Sequence, residues 1–480
     1  MNQVYQMLGI QALPIELLIH IFHCVSPTDR RDIRLSHVCK IWRDTLQNTS
    51  GFWANFLIIP DLITSNTNNH ERDVRFWHLF VERTSSQPLH LRLGGWDFDL
   101  LNDIPKHLPR LTYLHVHWKM VYPKEVQRRL LALAPLPALK DLRLSCDHPA
   151  PETHFLDLEV PGPTQAALLT DKYPQLRYLE VNPDFFVPSM VVQSVIALAI
   201  CDGNLSLIML KTALAHCQTL EYLRLENVDF WDIQDASEQV VLPHLRELCL
   251  CYSHDPVMHL IPHIRCPSIT RLDVSLSSPF LDVGMFNPHS LPIIRILTRL
   301  ELEVYYPTDD APALSINGYI NRDVIHAPPL HIFNERFRWK HRVHEIFTPI
   351  ASITEILGSS MVSELEVRLL DEDLNMTHLD WTMVFEAFPA LTSLVVHISS
   401  CHGLLRALRQ TPLRPAGLER LTIACGNGAG VRHTLVLTLE TRASLGHRLQ
   451  RLEFRNLNGA FASWHLARLQ DVVEEVVIVA

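Results

Sequence analysis

One short pattern recurs twelve times beyond residue 100: an apolar residue, then two more at the third and fifth positions after it, often just behind a proline. The copies are Leu111-Leu114-Val116, Leu139-Leu142-Leu144, Leu176-Leu179-Val181, Leu220-Leu223-Leu225, Leu245-Leu248-Leu250, Ile269-Leu272-Val274 and Leu297-Leu300-Leu302, then Val362-Leu365-Val367, Leu391-Leu394-Val396, Leu418-Leu421-Ile423, Leu449-Leu452-Phe454 and Val473-Val476-Ile478. Most begin 24 to 31 residues after the last, with wider steps of 37, 44 and 65. The spacing puts the second and third residues on one face of a strand, with the first turning in behind them. Burying three such side chains stabilises by about 5–9 kcal/mol, at ~1.5–3 each. Ordering the ~25 residues of one copy costs more, at ~1–2 kcal/mol apiece. No copy stands alone, so the copies must stack on a shared core as a curved α/β solenoid with a parallel inner sheet.

This periodicity resembles that of the leucine-rich-repeat proteins, whose units of 20–29 residues pair a strand with a helical or irregular return. The resemblance implies an Asn or Cys three positions after the sixth residue of each unit, where it satisfies buried backbone. Here those places hold Lys119, Asp147, Asp184, Val228, Ser253 and Ser277, so the array is expected to be irregular.

The first sixty residues are different. Leu13 to Phe22 reads as a short helix with Pro14 in its first turn and Leu17, Leu18, Ile21 and Phe22 on one face. After a turn at Ser26 to Asp29, a second helix runs to Leu35. Ser36 is placed to cap a third, which carries Val38, Ile41, Trp42 and Leu46. Three short helices cannot bury so many large apolar side chains internally, and a partner is expected to cover some of them. In order and spacing, Leu13-Pro14-x-Glu16-Leu17-Leu18-x-x-Ile21-Phe22, Leu35-Ser36-x-Val38-Cys39-Lys40-x-Trp42-Arg43 and Phe52-Trp53 resemble an F-box, with Phe52 where the family usually has Leu. The resemblance implies docking onto a Skp-type adaptor, and through it a cullin, by Leu13, Pro14, Leu17, Ile21, Phe22, Val38, Cys39 and Trp42. Trp53 would consolidate the fold.

Composition removes other classes. The net charge of −10 and pI near 6.2 argue against general binding to nucleic acid or anionic membrane. With 16 Gly against 31 Pro in 480 residues, phosphate-cradling glycine loops are disfavoured. Gly426-x-Gly428-x-Gly430 has Val431 where a dinucleotide fingerprint needs its third glycine. The 10 Cys contain no C-x-x-C pair and read as reduced thiols. No secretory leader is evident, and the most apolar run, Val187 to Ala199, is too short and too broken to cross a bilayer. A soluble intracellular protein, cytoplasmic or nuclear, is expected. Neither the 27 His nor the carboxylates fall in a ligand or catalytic spacing, so no metal, cofactor or active site is expected.

On the strands, residues between the core positions would point outward. Tyr113, Tyr178 and Tyr222 could anchor a ligand there or simply be half-buried strand residues. Glu301, Glu364 and Glu366 suggest an acidic middle, with arginines nearer the C-terminus, unless they are an ordinary solvated surface. Tyr305 to Ser360 is the least regular stretch and opens like a loop at Pro307, Asp309, Asp310 and Pro312. Within it Arg336, Arg338, Lys340 and Arg342 alternate with aromatic residues, as a site for an acidic or phosphorylated peptide or as a basic edge strand would.

Together these features resemble F-box/leucine-rich-repeat substrate receptors, especially divergent fungal ones. The organisation this implies is an F-box at 1–60 with its core at 12–57, a linker helix and first strand at 61–100, repeat-like arrays at 101–304 and 361–480, and an irregular insertion or degenerate repeat at 305–360. The implied function is a non-catalytic subunit of a Skp–cullin–F-box ubiquitin ligase that captures a protein substrate for degradation. The alternative is a protein-interaction scaffold that does not direct ubiquitination.

Overall fold

A computed structural model of the chain describes residues 13–24, 30–59, 70–121, 129, 134–149, 171–232, 239–253, 260–276, 290–308, 311–320, 328–334, 357, 360–369, 376–410, 415–425, 431–455 and 463–479. The chain divides into two compact units, Met1–Gly203 with Met209–Thr219, and Asn204–Ile208 with Leu220–Ala480.

The first unit opens with helices α1 (Ile15–Cys24), α2 (Lys40–Asn48) and α3 (Ser50–Phe56), with a 3-10 turn at Arg30–His37 before α2. The cap of α2 is Cys39, whose Sγ accepts from the Trp42 amide at 3.5 Å. Ser36, expected to hold that place, lies in the 3-10 turn and donates its hydroxyl to the Ile33 carbonyl. Leu18, Phe22, Trp42, Leu46, Phe52, Trp53 and Phe56 form a buried aromatic core. Phe22 meets Trp42 edge to face at 5.2 Å, and Trp53 Nε1 donates to the Leu46 carbonyl at 2.6 Å. Helix α4 (His70–Arg83) closes the core by laying Phe80 5.4 Å from Trp53 and 5.3 Å from Phe56.

Strand β1 (Leu89–Gly94) is tied to these helices by the Arg92 amide, which donates to the Leu57 carbonyl. It begins a parallel series with β2 (Leu111–Val121), β3 (Asp141–Pro149), β4 (Tyr178–Val181) and β5 (Ala197–Leu205). The pattern residues lie in register: Leu91, Leu114, Leu142, Leu179 and Leu198 make one row, and Leu93, Val116, Leu144, Val181 and Ile200 the next. All ten are buried. Buried Asn182 joins three strands, since its Oδ1 accepts from the Cys146 amide at 2.6 Å and its Nδ2 donates to the Cys201 carbonyl at 2.8 Å.

A helix, α5 (Leu207–His216), precedes β6 (Tyr222–Phe230). The second unit continues with β7 (Val240–Val241), β8 (Glu247–Ser253), β9 (Ile264–Arg265), β10 (Arg271–Leu276), β11 (Arg299–Thr308), β12 (Ala311–Tyr319), β13 (Leu330–Asn334), β14 (Glu364–Leu369), β15 (Ser393–Ile398), β16 (Arg420–Cys425), β17 (Leu449–Arg455) and β18 (Val473–Val479). Except for the separate β7–β9 pair, they form one sheet in the order β6-β8-β10-β13-β12-β11-β14-β15-β16-β17-β18. Leu300, Leu365, Leu394, Leu421, Leu452 and Val476 share a row, as do Leu302, Val367, Val396, Ile423, Phe454 and Ile478.

One strand runs against the rest: β12 is antiparallel to both β11 and β13. The expected loop after Tyr305 is instead a long hairpin. Pro307 and Pro312 are tolerated because the register shifts between Tyr305 and Thr308, where the ladder is irregular. Beyond β14, helices α6 (His378–Ala387), α7 (His402–Arg409), α8 (Val431–Ser444) and α9 (Ser463–Val472) alternate with the strands. A capping box of Thr377 and Asp380 starts α6. The packing of α7 on it requires Gly403, where a Cβ would stand 2.3 Å from the Met376 carbonyl oxygen. Among the described residues, no helix is long and apolar enough to cross a membrane.

Candidate adaptor-docking surface and half-exposed strand face

Helix α1 carries two apolar stripes, not one. Leu18 and Phe22, four apart, point into the core at 0% and 1% exposure, while Leu17 at 50% and Ile21 point outward. Leu13 is half-buried and Pro14 exposed; the Pro14 carbonyl accepts from the amides of Leu17 and Leu18. Ile15, Val38 and Ile41 are further exposed apolar residues on these helices. Of the eight residues that the F-box resemblance singles out, Leu17, Ile21, Val38 and Pro14 are presented to solvent and Leu13 and Cys39 partly so. Phe22 and Trp42 lie beneath, in the core, where they hold α1 against α2.

On the half-exposed face of β1 to β4, Asp141 stands between Tyr113 and Tyr178. The Arg143 guanidinium makes a two-pronged pair with Asp141 at 3.1 and 3.2 Å and lies 5.4 and 4.7 Å from the Tyr113 and Tyr178 ring centres. The two tyrosines therefore clamp an arginine that is already charge-paired. Tyr178 donates its hydroxyl to Glu180, and burial with that contact pushes the hydroxyl well above the usual tyrosine range.

One row along, Ser145 Oγ lies 3.0 Å from His115 Nε2 and 2.9 Å from His117 Nδ1, and His117 Nε2 is 3.3 Å from Asp147. Burial, with Arg92 nearby, pushes His115 down to about 4, so it is neutral at neutral pH. The chain of contacts has the residue types of a nucleophile relay. The amides around Ser145, however, lie in the sheet plane within the β2–β3 ladder, so none faces the hydroxyl as an oxyanion donor.

In the second unit, Tyr222 lies beside Glu247, which neighbours Arg271. The three predicted acidic residues all have cationic neighbours. Arg299 reaches Glu301 at 2.5 Å and Glu366 at 3.4 Å, Arg420 reaches Glu364 at 3.2 Å, and Arg368 reaches Glu366 at 2.6 Å. His397 Nε2, at 3.5 Å and thus at the outer limit of a hydrogen bond, joins Arg368 in holding the Glu366 carboxyl down at about 2. Tyr319 donates to Glu301, and burial together with that carboxylate pushes its hydroxyl up to about 12. Arg336, Arg338, Lys340 and Arg342 lie outside the described residues. Among the described residues, no three of His, Cys, Asp and Glu are placed to hold a metal ion.

The spacing of apolar residues did not reveal Asn182, Tyr319 or the His115–Ser145–His117 cluster. Alternation along β2 could have placed His115 and His117 on one face, but their partner on β3 depends on register.

Residues 10–59 match the family described as F-box-like. No curated protein matches the chain. The F-box-like domain suggests a substrate-adaptor role in ligases of the Skp–cullin–F-box type. Such domains generally bind Skp-type adaptors, and the proteins that carry them are generally non-catalytic.

Proposed function

We propose that this chain is the substrate-recognition subunit of a Skp–cullin–F-box ubiquitin ligase and contributes no catalytic residue of its own. The observation that carries the reading is the second apolar stripe of α1, which leaves Leu17 and Ile21 uncovered within the segment that matches the F-box-like family. With Leu13, Pro14, Val38 and Cys39 they form the adaptor-docking surface. Phe22 and Trp42 support it from below, and cullin is reached through the adaptor. Beyond residue 100 the in-register strands act as an irregular leucine-rich-repeat solenoid, with arrays at 101–304 and 361–480. The half-exposed strand face of each unit is offered to the target protein, which is captured for ubiquitin-dependent degradation.

Tyr113 and Tyr178 on the first unit's face and Tyr222 on the second unit's offer aromatic anchors. Glu301, Glu364 and Glu366 offer carboxylates already oriented by arginines, so a target must fit a fixed pattern of alternating charge and not a broadly acidic field. The basic run Arg336, Arg338, Lys340 and Arg342 adds a place for an acidic segment of the target. Co-purification of the full chain with a Skp-type adaptor tests the reading. Capture is expected, and Leu17→Asp should abolish it while far-UV dichroism stays unchanged, because docking would then bury a carboxylate. A folded wild-type chain that never binds the adaptor refutes it.

A further inference from the structure

Cys249 and Cys251 are two residues apart on β8, point to the same half-exposed face, and bring their Sγ atoms to 3.2 Å. An extended strand separates the Cα atoms of such a pair by roughly 6.6 Å, near the upper end of the ~4.4–6.8 Å that disulfides span. Here the strand is not regular. Leu250 pairs with Val274 and Ser253 with Leu276, so Cys251 and Tyr252 together stand opposite Ser275 of β10. The bulge starts at Cys251 itself and bends β8 there, while Leu250, between the two cysteines, keeps its pairing with Leu225 and Val274.

The surroundings suit thiol chemistry. Arg224 lies beside Cys249 and is ion-paired with Glu226, the neighbour of Cys251; Asp273 flanks Cys249 on the other side. The hydrogen bond between the sulfurs favours thiolate at Cys251 and opposes it at Cys249, so one sulfur is suited to attack and the other to follow. Cys401 and Cys425, whose thiols share a hydrogen bond, provide the contrast, because both are buried at 0% and 2% exposure.

We propose that Cys249 and Cys251 form a reversible oxidation site, at which a hydroperoxide converts the accessible dithiol into a disulfide within one strand. The Cys251 thiolate attacks the outer peroxide oxygen; the S–O bond forms, the O–O bond breaks, and with hydrogen peroxide the departing hydroxide leaves as water after taking a proton. The Cys249 thiol then attacks the sulfenic sulfur. The S–S bond forms, the S–O bond breaks, and the hydroxyl departs with the thiol proton as a second water. Two thiols are oxidised by two electrons and one peroxide is reduced. The site stands whether or not the strand face captures a protein.

The test is to treat the native full-length chain with stoichiometric hydrogen peroxide, alkylate the remaining thiols, and analyse the peptide that carries residues 249 and 251 by mass spectrometry. A loss of two hydrogens is expected, reversed by dithiothreitol, with Cys401 and Cys425 unchanged. In Cys249→Ser and in Cys251→Ser the loss should vanish, and in Cys249→Ser the remaining Cys251 thiol should instead yield a dimedone adduct. If both thiols of the wild-type chain are still alkylated after the exposed Cys24 has been oxidised, or if either single variant still loses two hydrogens, the proposal is overturned.

Discussion

Leu17 and Leu18 are chemically identical neighbours on α1, yet one is half exposed and the other fully buried. Truncating each to alanine therefore separates docking from folding. Leu18→Ala removes a side chain with no solvent exposure from the core that also buries Phe22 and Trp42. A cavity of that kind costs about 2–5 kcal/mol, and amide exchange across 15–56 should accelerate accordingly. Leu17→Ala removes a side chain that already has half its surface in water, and stability should move by no more than about 0.5 kcal/mol. If an adaptor covers the remaining half, complete burial at ~1.5–3 kcal/mol implies a loss of roughly 1 kcal/mol in affinity, or about fivefold in Kd. Amide exchange on the free chain and titration calorimetry with a purified Skp-type adaptor measure the two quantities independently. The reasoning fails if Leu17→Ala opens α1 as readily as Leu18→Ala, since Leu17 would then be core. It also fails if Leu17→Ala leaves the adaptor Kd unchanged.

Two further outcomes follow from buried polar groups. Asn182→Ala removes hydrogen bonds that bridge β3 to β5 and should lower the stability of the first unit by about 1–3 kcal/mol in urea denaturation; a change near zero would show that the bridge is dispensable. The Glu366 carboxyl, ordinarily near 4.5, is held at about 2, so its contribution is complete above pH 4.5 and is lost as pH falls toward 2. The unfolding free energy from urea melts should fall over that window by an amount on the order of 3 kcal/mol, and Glu366→Gln should flatten the fall; a variant with an undiminished acid slope would contradict the assignment.

The apolar spacing was legible because burial on a strand follows a period of two, which the residues themselves record. The second and third residues of each of the twelve copies lie on a described strand, and the expected helix at Leu13 is observed over Ile15–Cys24. Val195-Leu198-Ile200 carries the same spacing outside the twelve copies, and its Leu198 and Ile200 join the buried rows of the first unit. The cap of α2 lies three residues beyond Ser36, the stronger capping type, because the chain uses the Cys39 sulfur after its 3-10 turn. The antiparallel course of β12 had no local signature, since Pro307, Asp309, Asp310 and Pro312 in and before its start read as a loop and only its neighbours β11 and β13 make it a strand.

What the sequence alone determined is the material for two kinds of surface: a set of helices with more apolar side chains than they can enclose, and a run of strands that cannot stand singly. Each follows from side-chain type and spacing along the chain. Only the tertiary structure decided which apolar residues remained outside, because Leu17 and Leu18 differ in nothing but the direction in which α1 presents them. Register likewise decided the charges. Glu364 and Arg420 are far apart in sequence, and the stacking of β14, β15 and β16 brings them to 3.2 Å, giving a paired surface in place of the acidic one that the order of residues suggested.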